Sequence, residues 1–267
     1  MSGSAAYDEP SVRQYTELAE VAGGFIHEIK NRVGTLSLNL QLLGEDFENP
    51  ETPRERRALE RITRLQGECQ KLVDLASDFL RFARVHDLTM ELATLDSVVS
   101  RNVDFLAPTA RDKNIEIGWL PAPDLPLVNI QRDLFEQCLL NLMLNAEQAM
   151  PEGGTLTLIG RWEETKTHQA EDSALWVCLD VIDTGYGIPP EQMPKLFRPF
   201  HTTKTNGHGL GLAITRKIIT AHGGTIEVQS EIGRGTKFTI RLPATKAEET
   251  GDRKQETEKE RNFPLSS

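Results

Sequence analysis

Two apolar stripes of helical period occupy the first third of the chain, and they restrict what that third can become. Leu18, Val21, Phe25, Ile29, Leu36, Leu40 and Leu43 recur at helical steps, which predicts a long amphipathic helix over about 15–43. Gly44 to Pro53, rich in Glu, Asn and Pro, interrupts it. Ile62, Leu65, Cys69, Leu72, Ala76, Phe79 and Ala83 then alternate by three and four, the spacing of coiled-coil-like packing. Two such helices form an antiparallel hairpin, and one hairpin has too little interior to bury both stripes. Pairing with a second copy into a four-helix bundle solves this, so a homodimer is expected.

Beyond Leu92 the pattern turns mixed. Strand-like runs occur at 115–119, 155–161, 175–183, 224–230 and 236–242, with helices near 96–113, 131–150 and 209–222. The fold class expected is therefore α+β, a helical hairpin followed by an α/β sandwich. Met150 to Gly154 reads as a turn and Glu163 to Ser173 as a polar hairpin loop. The 245–267 stretch, with few apolar anchors, reads as a disordered tail.

Composition excludes some classes. A net charge of −10 without a Lys/Arg stripe argues against sequence-independent nucleic-acid binding. No apolar run approaches the roughly 20 residues that cross a bilayer, and Met1 to Pro10 lacks a signal-peptide layout, so a cytoplasmic chain without a membrane segment is expected. Cys69, Cys138 and Cys178 lie far apart inside apolar patterns and read as buried, reduced thiols.

Several segments carry chemistry. Gln137, Asn141 and Asn145 fall at i, i+4 and i+8, on one face of a helix, and amide oxygens are hard, neutral ligands for Mg²⁺; Asn145 is the expected metal ligand and Asn141 its neighbour. The plain alternative is a helix with a polar wet side. Asp183 ends a β-branched run and opens Thr184-Gly185-Tyr186-Gly187, where a carboxylate can accept a hydrogen bond from an exocyclic amine; a tight turn is the competing reading. Gly207-His208-Gly209-Leu210-Gly211 precedes a helix, whose free N–H groups and dipole suit phosphate oxygens. A dinucleotide-binding reading fails because no βαβ unit opens the domain. His27 lies about 200° round its helix from Phe25 and so faces solvent, where a neutral imidazole can act as a nucleophile.

In this order these segments resemble a two-component sensor histidine kinase over roughly residues 15–243, most nearly its nitrogen-regulator and oxygen-sensor branch. The resemblance implies ATP with Mg²⁺, adenine recognition by Asp183, close backbone approach at Gly185 and Gly187, and a further adenine contact from Thr236. It makes Pro190 to Asn206 a lid anchored by Phe197 and Phe200, with Lys204 reaching phosphate; a solvated lysine and a plain strand threonine are the competing views of Lys204 and Thr236. Gly207, Gly209, Leu210 and Gly211 would line the phosphates. Related ATPases that hydrolyse ATP carry a Glu four residues before the metal-binding Asn; here Asn141 stands there and cannot deprotonate water, which favours transfer to another nucleophile.

By the same resemblance His27 is the phosphoacceptor, Glu28 takes the proton of its other ring nitrogen, and Asn31 orients a water against a phospho-aspartate, making the protein a regulator phosphatase as well. Arg32-Val33 stands where the family places a proline. The implied partner is a response-regulator receiver domain. The domains expected are an N-terminal tail (1–14), a dimerisation and phosphotransfer hairpin (15–86), a linker (87–93), an ATP-binding domain (94–244) and the tail from 245. Two rivals remain at this level: a nonenzymatic, ATP-sensing dimeric scaffold, and a protein-serine kinase on the same ATP fold.

Overall fold

The computed structural model describes residues 9–84, 88–166, 173–202 and 208–245. Two long helices open it, α1 (Glu9–Glu45) and α2 (Pro53–Arg84). Residues 9–14, expected as tail, belong to α1. The turn between the helices is set by a reciprocal cap that the sequence reading took only for a break. Thr52 Oγ1 accepts from Glu55 N–H at 3.2 Å, while Glu55 Oε2 accepts from the N–H groups of Glu51 and Thr52 at 2.8 and 3.1 Å, with Pro53 at the first helical position. Those backbone donors, Thr52 first, pull the Glu55 carboxyl below its ordinary range.

The rest of the described chain forms a seven-stranded sheet with three helices. Its elements are β1 (Glu91–Ala93), α3 (Leu95–Asp112), β2 (Ile115–Pro121), β3 (Leu127–Ile130), α4 (Arg132–Ala149), β4 (Gly154–Lys166), β5 (Ser173–Asp183), a 3-10 turn (Met193–Lys195), α5 (Gly211–Ala221), β6 (Thr225–Glu231) and β7 (Gly235–Thr245). Strand order is β1-β3-β7-β5-β4-β2, with β6 also on β7; β2 and β4 run parallel and the other pairs antiparallel. The α+β expectation holds. Two short strands were missed: β1 lies within the expected linker and β3 in an unassigned stretch, each too short for alternation to show. The expected 163–173 loop is also shorter, because the pairs Glu163↔Trp176 and Glu164↔Leu175 prolong the β4–β5 ladder.

By packing the chain divides into two compact units. The first comprises Met1–Thr89, Gln137–Leu144 and Ile188–Ala221; the second comprises Met90–Glu136, Asn145–Gly187 and His222–Ser267. Within the first, Val33, Ile62 and Ala76 are buried among the described residues of the hairpin, whereas Leu36, Leu43, Leu65 and Leu72 of the apolar stripes are exposed. Within the second, Leu156, Leu158, Leu179, Val181, Phe238 and Ile240 are buried on one face of the sheet.

The other face is knitted by charge. Asp180 accepts from Thr239 Oγ1 at 2.7 Å and lies 3.1 Å from Lys237 Nζ and 3.3 Å from Arg161 Nε. Burial opposes its ionisation, yet the hydrogen bonds from Thr239, Lys237 and Arg161 together hold its carboxyl below the ordinary range. Cys138 and Cys178 are buried as expected, with burial pushing the Cys138 thiol up to about 12; Cys69 is only half-buried. Among the described residues no helix is long and apolar enough to cross a membrane.

Candidate functional site

In the sheet unit, β5 delivers Asp183 to its end, and three segments converge there. Asp183 Oδ1 accepts from Gly185 N–H at 2.8 Å and from Thr236 N–H, its register partner on β7, at 3.2 Å. Thr236 Oγ1 lies 2.9 Å from Ser230 Oγ on β6. Burial raises the Asp183 carboxyl above its ordinary value, against the pull of those two N–H groups. Among the described residues Asp183 has no ion-pair partner. A buried carboxylate held only by backbone dipoles suits a neutral donor such as an amine, which is the chemistry expected of it.

Asp183, Gly185, Gly187 and Thr236 are thus brought together. The glycines serve the protein's own packing: a Cβ on Gly185 would stand 2.6 Å from the Ala149 carbonyl at the end of α4, which accepts from Tyr186 N–H at 3.1 Å. Gly187, at φ +75°, lies under the β6–β7 turn, where a Cβ would collide with the Glu231 carbonyl. Their bareness closes the turn whether or not a ligand approaches. Asn145, half-buried on α4, belongs to the same unit.

The start of α4 is held from afar. Gln131 caps the helix without using its side chain, and its N–H donates to His222 Nε2 at 2.9 Å. His222 is buried and its ring lies 6.2 Å from that of Phe135. An imidazole nitrogen 91 residues away leaves no local signal, so sequence reading could not assign it.

In the other unit Asn141 faces the glycine-rich segment. Its Nδ2 donates to Thr215 Oγ1 on α5 at 2.9 Å, and a Cβ on Gly211 would stand 2.5 Å from its Oδ1. Gly211 is therefore needed for α4 and α5 to meet, and buried Thr215 is a residue that sequence reading missed; its place one turn inside the predicted helix was the available signal. Leu210 is buried, so its side chain serves packing and any ligand contact falls to its backbone. Gly209 has φ +68°, and Leu210 C=O accepts from Ile214 N–H at 2.9 Å to open α5. The His208 ring lies 3.8 Å from the Asp78 carboxylate of α2, a neighbour the sequence did not suggest.

Of the two expected lid anchors, Phe197 is half-buried with the Arg216 guanidinium 5.8 Å from its ring centre. Phe200 is exposed and sits at φ +62°, which corrects the anchor role: a bulky residue in the left-handed region is strained and presents its ring outward. Lys204 and Gly207 lie outside the described residues.

On α1, His27, Glu28 and Asn31 are all exposed. Asn31 Nδ2 lies 3.4 Å from His27 Nδ1. Glu28 Oε1 accepts from Arg32 Nε and Nη2 at 3.1 and 2.5 Å. Two residues four apart on a helix are neighbours, whereas His27 and Glu28 are a hundred degrees apart.

Comparison with known proteins adds to this geometry. Residues 130–246 match the histidine kinase-, DNA gyrase B-, and HSP90-like ATPase family. The sensor histidine kinase ZraS of Salmonella typhi is 30% identical over 226 residues, covering 85% of this chain and 46% of ZraS. The crystal structure of full-length ShkA with AMPPNP covers 81% of this chain and 46% of that one, at 27% identity and a TM-score of 0.59. The catalytic domain of the histidine kinase ThkA is 31% identical, with 97% of it covered and a TM-score of 0.51. The chain spans about half the length of the curated relatives such as ZraS.

Proposed function

The chain belongs to the sensor histidine kinases of two-component signalling, and on that footing we propose that it moves the γ-phosphoryl of ATP to His27 and then to an aspartate of a response-regulator receiver domain. The motif order assigns adenine to Asp183, Gly185, Gly187 and Thr236, and the phosphates to the Gly209–Gly211 segment with Lys204 and Gly207. Asn145 supplies an amide oxygen for Mg²⁺, the remaining ligands coming from phosphate and water.

The observation that favours transfer over hydrolysis is Asn141. It stands one helical turn before Asn145, and its amide is committed to Thr215. That turn offers no carboxylate to take a proton from water, whereas exposed His27 is a nucleophile. The exposed leucines of the hairpin support a homodimer, in which a second copy covers them. Asn31 is the proposed water-orienting group of an opposing phosphatase activity.

Incubation with γ-labelled ATP and Mg²⁺ tests the reading. Acid-labile label on the wild type and none on His27→Gln supports it. Acid-stable label overturns the assignment in favour of a serine kinase, and acid-labile label that survives in His27→Gln overturns His27 as the acceptor; bound ATP without label favours a nucleotide-sensing scaffold.

A further inference from the structure

The contacts around His27 specify more than a nucleophile. His27 Nδ1 faces the side-chain amide of Asn31 at 3.4 Å. An amide NH₂ donates and does not accept, so the nitrogen it faces is an acceptor, and a neutral His27 then carries its proton on Nε2. Nδ1 is screened by Asn31, which leaves Nε2 as the nitrogen open to an incoming phosphoryl group. While protonated, Nε2 has no lone pair for phosphorus. The contact thus points to Nε2–H as the resting tautomer.

The acid able to change that tautomer is next in sequence, and it is occupied. Both Arg32 contacts to Glu28 fall on one carboxylate oxygen, Oε1.

We propose that Arg32 is a positioning residue for the kinase reaction proposed above: by holding Glu28 one turn away from His27 it sets the imidazole tautomer and so the rate of autophosphorylation. When Glu28 leaves Arg32 it accepts a hydrogen bond from Nδ1–H: Asn31 gives up that nitrogen, Nδ1 takes a proton from water as Nε2 returns one, and Nε2 becomes the nucleophile. The Nε2–P bond then forms as the bond from phosphorus to the bridging oxygen of ADP breaks. The electron pair of that bond leaves with ADP, and the imidazole proton passes to Glu28. The Arg32–Glu28 pair is exposed, and pairs of this kind shift an equilibrium by about twofold, so the device biases the reaction without blocking it.

The test uses the whole chain labelled with ¹⁵N-histidine, at a pH well above the ordinary histidine range, with the His27 signals identified by difference against His27→Gln. The wild type is expected to show the Nε2–H tautomer. Arg32→Gln should move the population about twofold toward Nδ1–H and raise the initial autophosphorylation rate about twofold. Arg32→Lys should restore the wild-type tautomer and rate, and a Glu28→Gln background should abolish the effect of Arg32→Gln. An unchanged tautomer in Arg32→Gln, or a rate gain that persists with Glu28→Gln, overturns the proposal. A tautomer shift in a protein that never takes up label would refute the kinase reading while leaving the control of the imidazole standing, so the two failures are distinguishable.

Discussion

Asp183 and Thr236, 53 residues apart in sequence, are joined where β5 and β7 pair: the Asp183 carboxylate accepts the Thr236 N–H at 3.2 Å. The bond ties two strand ends together, and it holds a carboxylate where burial disfavours its charge.

Asp183→Asn should abolish ATP binding, measured by calorimetry, without a comparable loss of stability. The sign follows from linkage: a carboxyl whose folded pKa is raised binds its proton more tightly when folded, so wild-type stability falls as pH rises through the range between the unfolded and folded values. The advantage of the Asn variant should be greatest above that range and shrink in acid. Thermal melts across pH check it, and a variant that loses stability progressively more toward neutral pH would contradict this account.

Thr215→Val removes the hydroxyl that holds Asn141 while preserving shape. Loss of a buried hydrogen bond of this kind costs about 1–3 kcal/mol. Urea unfolding should show that loss, and ATP affinity should fall with it; Thr215→Ser should recover both. Full affinity in Thr215→Val would separate Asn141 orientation from nucleotide binding.

Asp180→Asn should lower stability by about 1–3 kcal/mol at neutral pH, since Arg161 and Lys237 lose their shared anion. A depressed carboxyl stabilises the fold above its unfolded pKa and loses that contribution as pH falls through the folded value. Wild type and variant should therefore converge in acid. ATP binding should be unaffected.

Leu65→Arg with Leu72→Arg should give a monomer by sedimentation, because both side chains are exposed on the apolar stripe of α2. Far-ultraviolet helicity should change little if the hairpin persists. A variant that still sediments as a dimer would place the interface elsewhere.

Periodicity and turn chemistry made much of this protein legible. The two stripes announced α1 and α2, the β-branched run ending at Asp183 announced β5, and the glycines before Leu212 announced the start of α5. These signals are local: a helix or a buried strand repeats its apolar residues within one element, so a single sequence displays them. The short strands β1 and β3 escaped because three or four residues hold too few alternations.

What only the tertiary structure decided was the partner of each polar group. Asn141 with Thr215, Gln131 N–H with His222, and Asp183 with Thr236 join segments 74, 91 and 53 residues apart. Even beside His27, the pairing of Glu28 with Arg32 one turn on is set by the helix that carries both. Residue type tells which hydrogen bonds a side chain can make. Which of them it makes depends on the backbone that carries donor and acceptor to within about 3 Å, and that is a property of the fold.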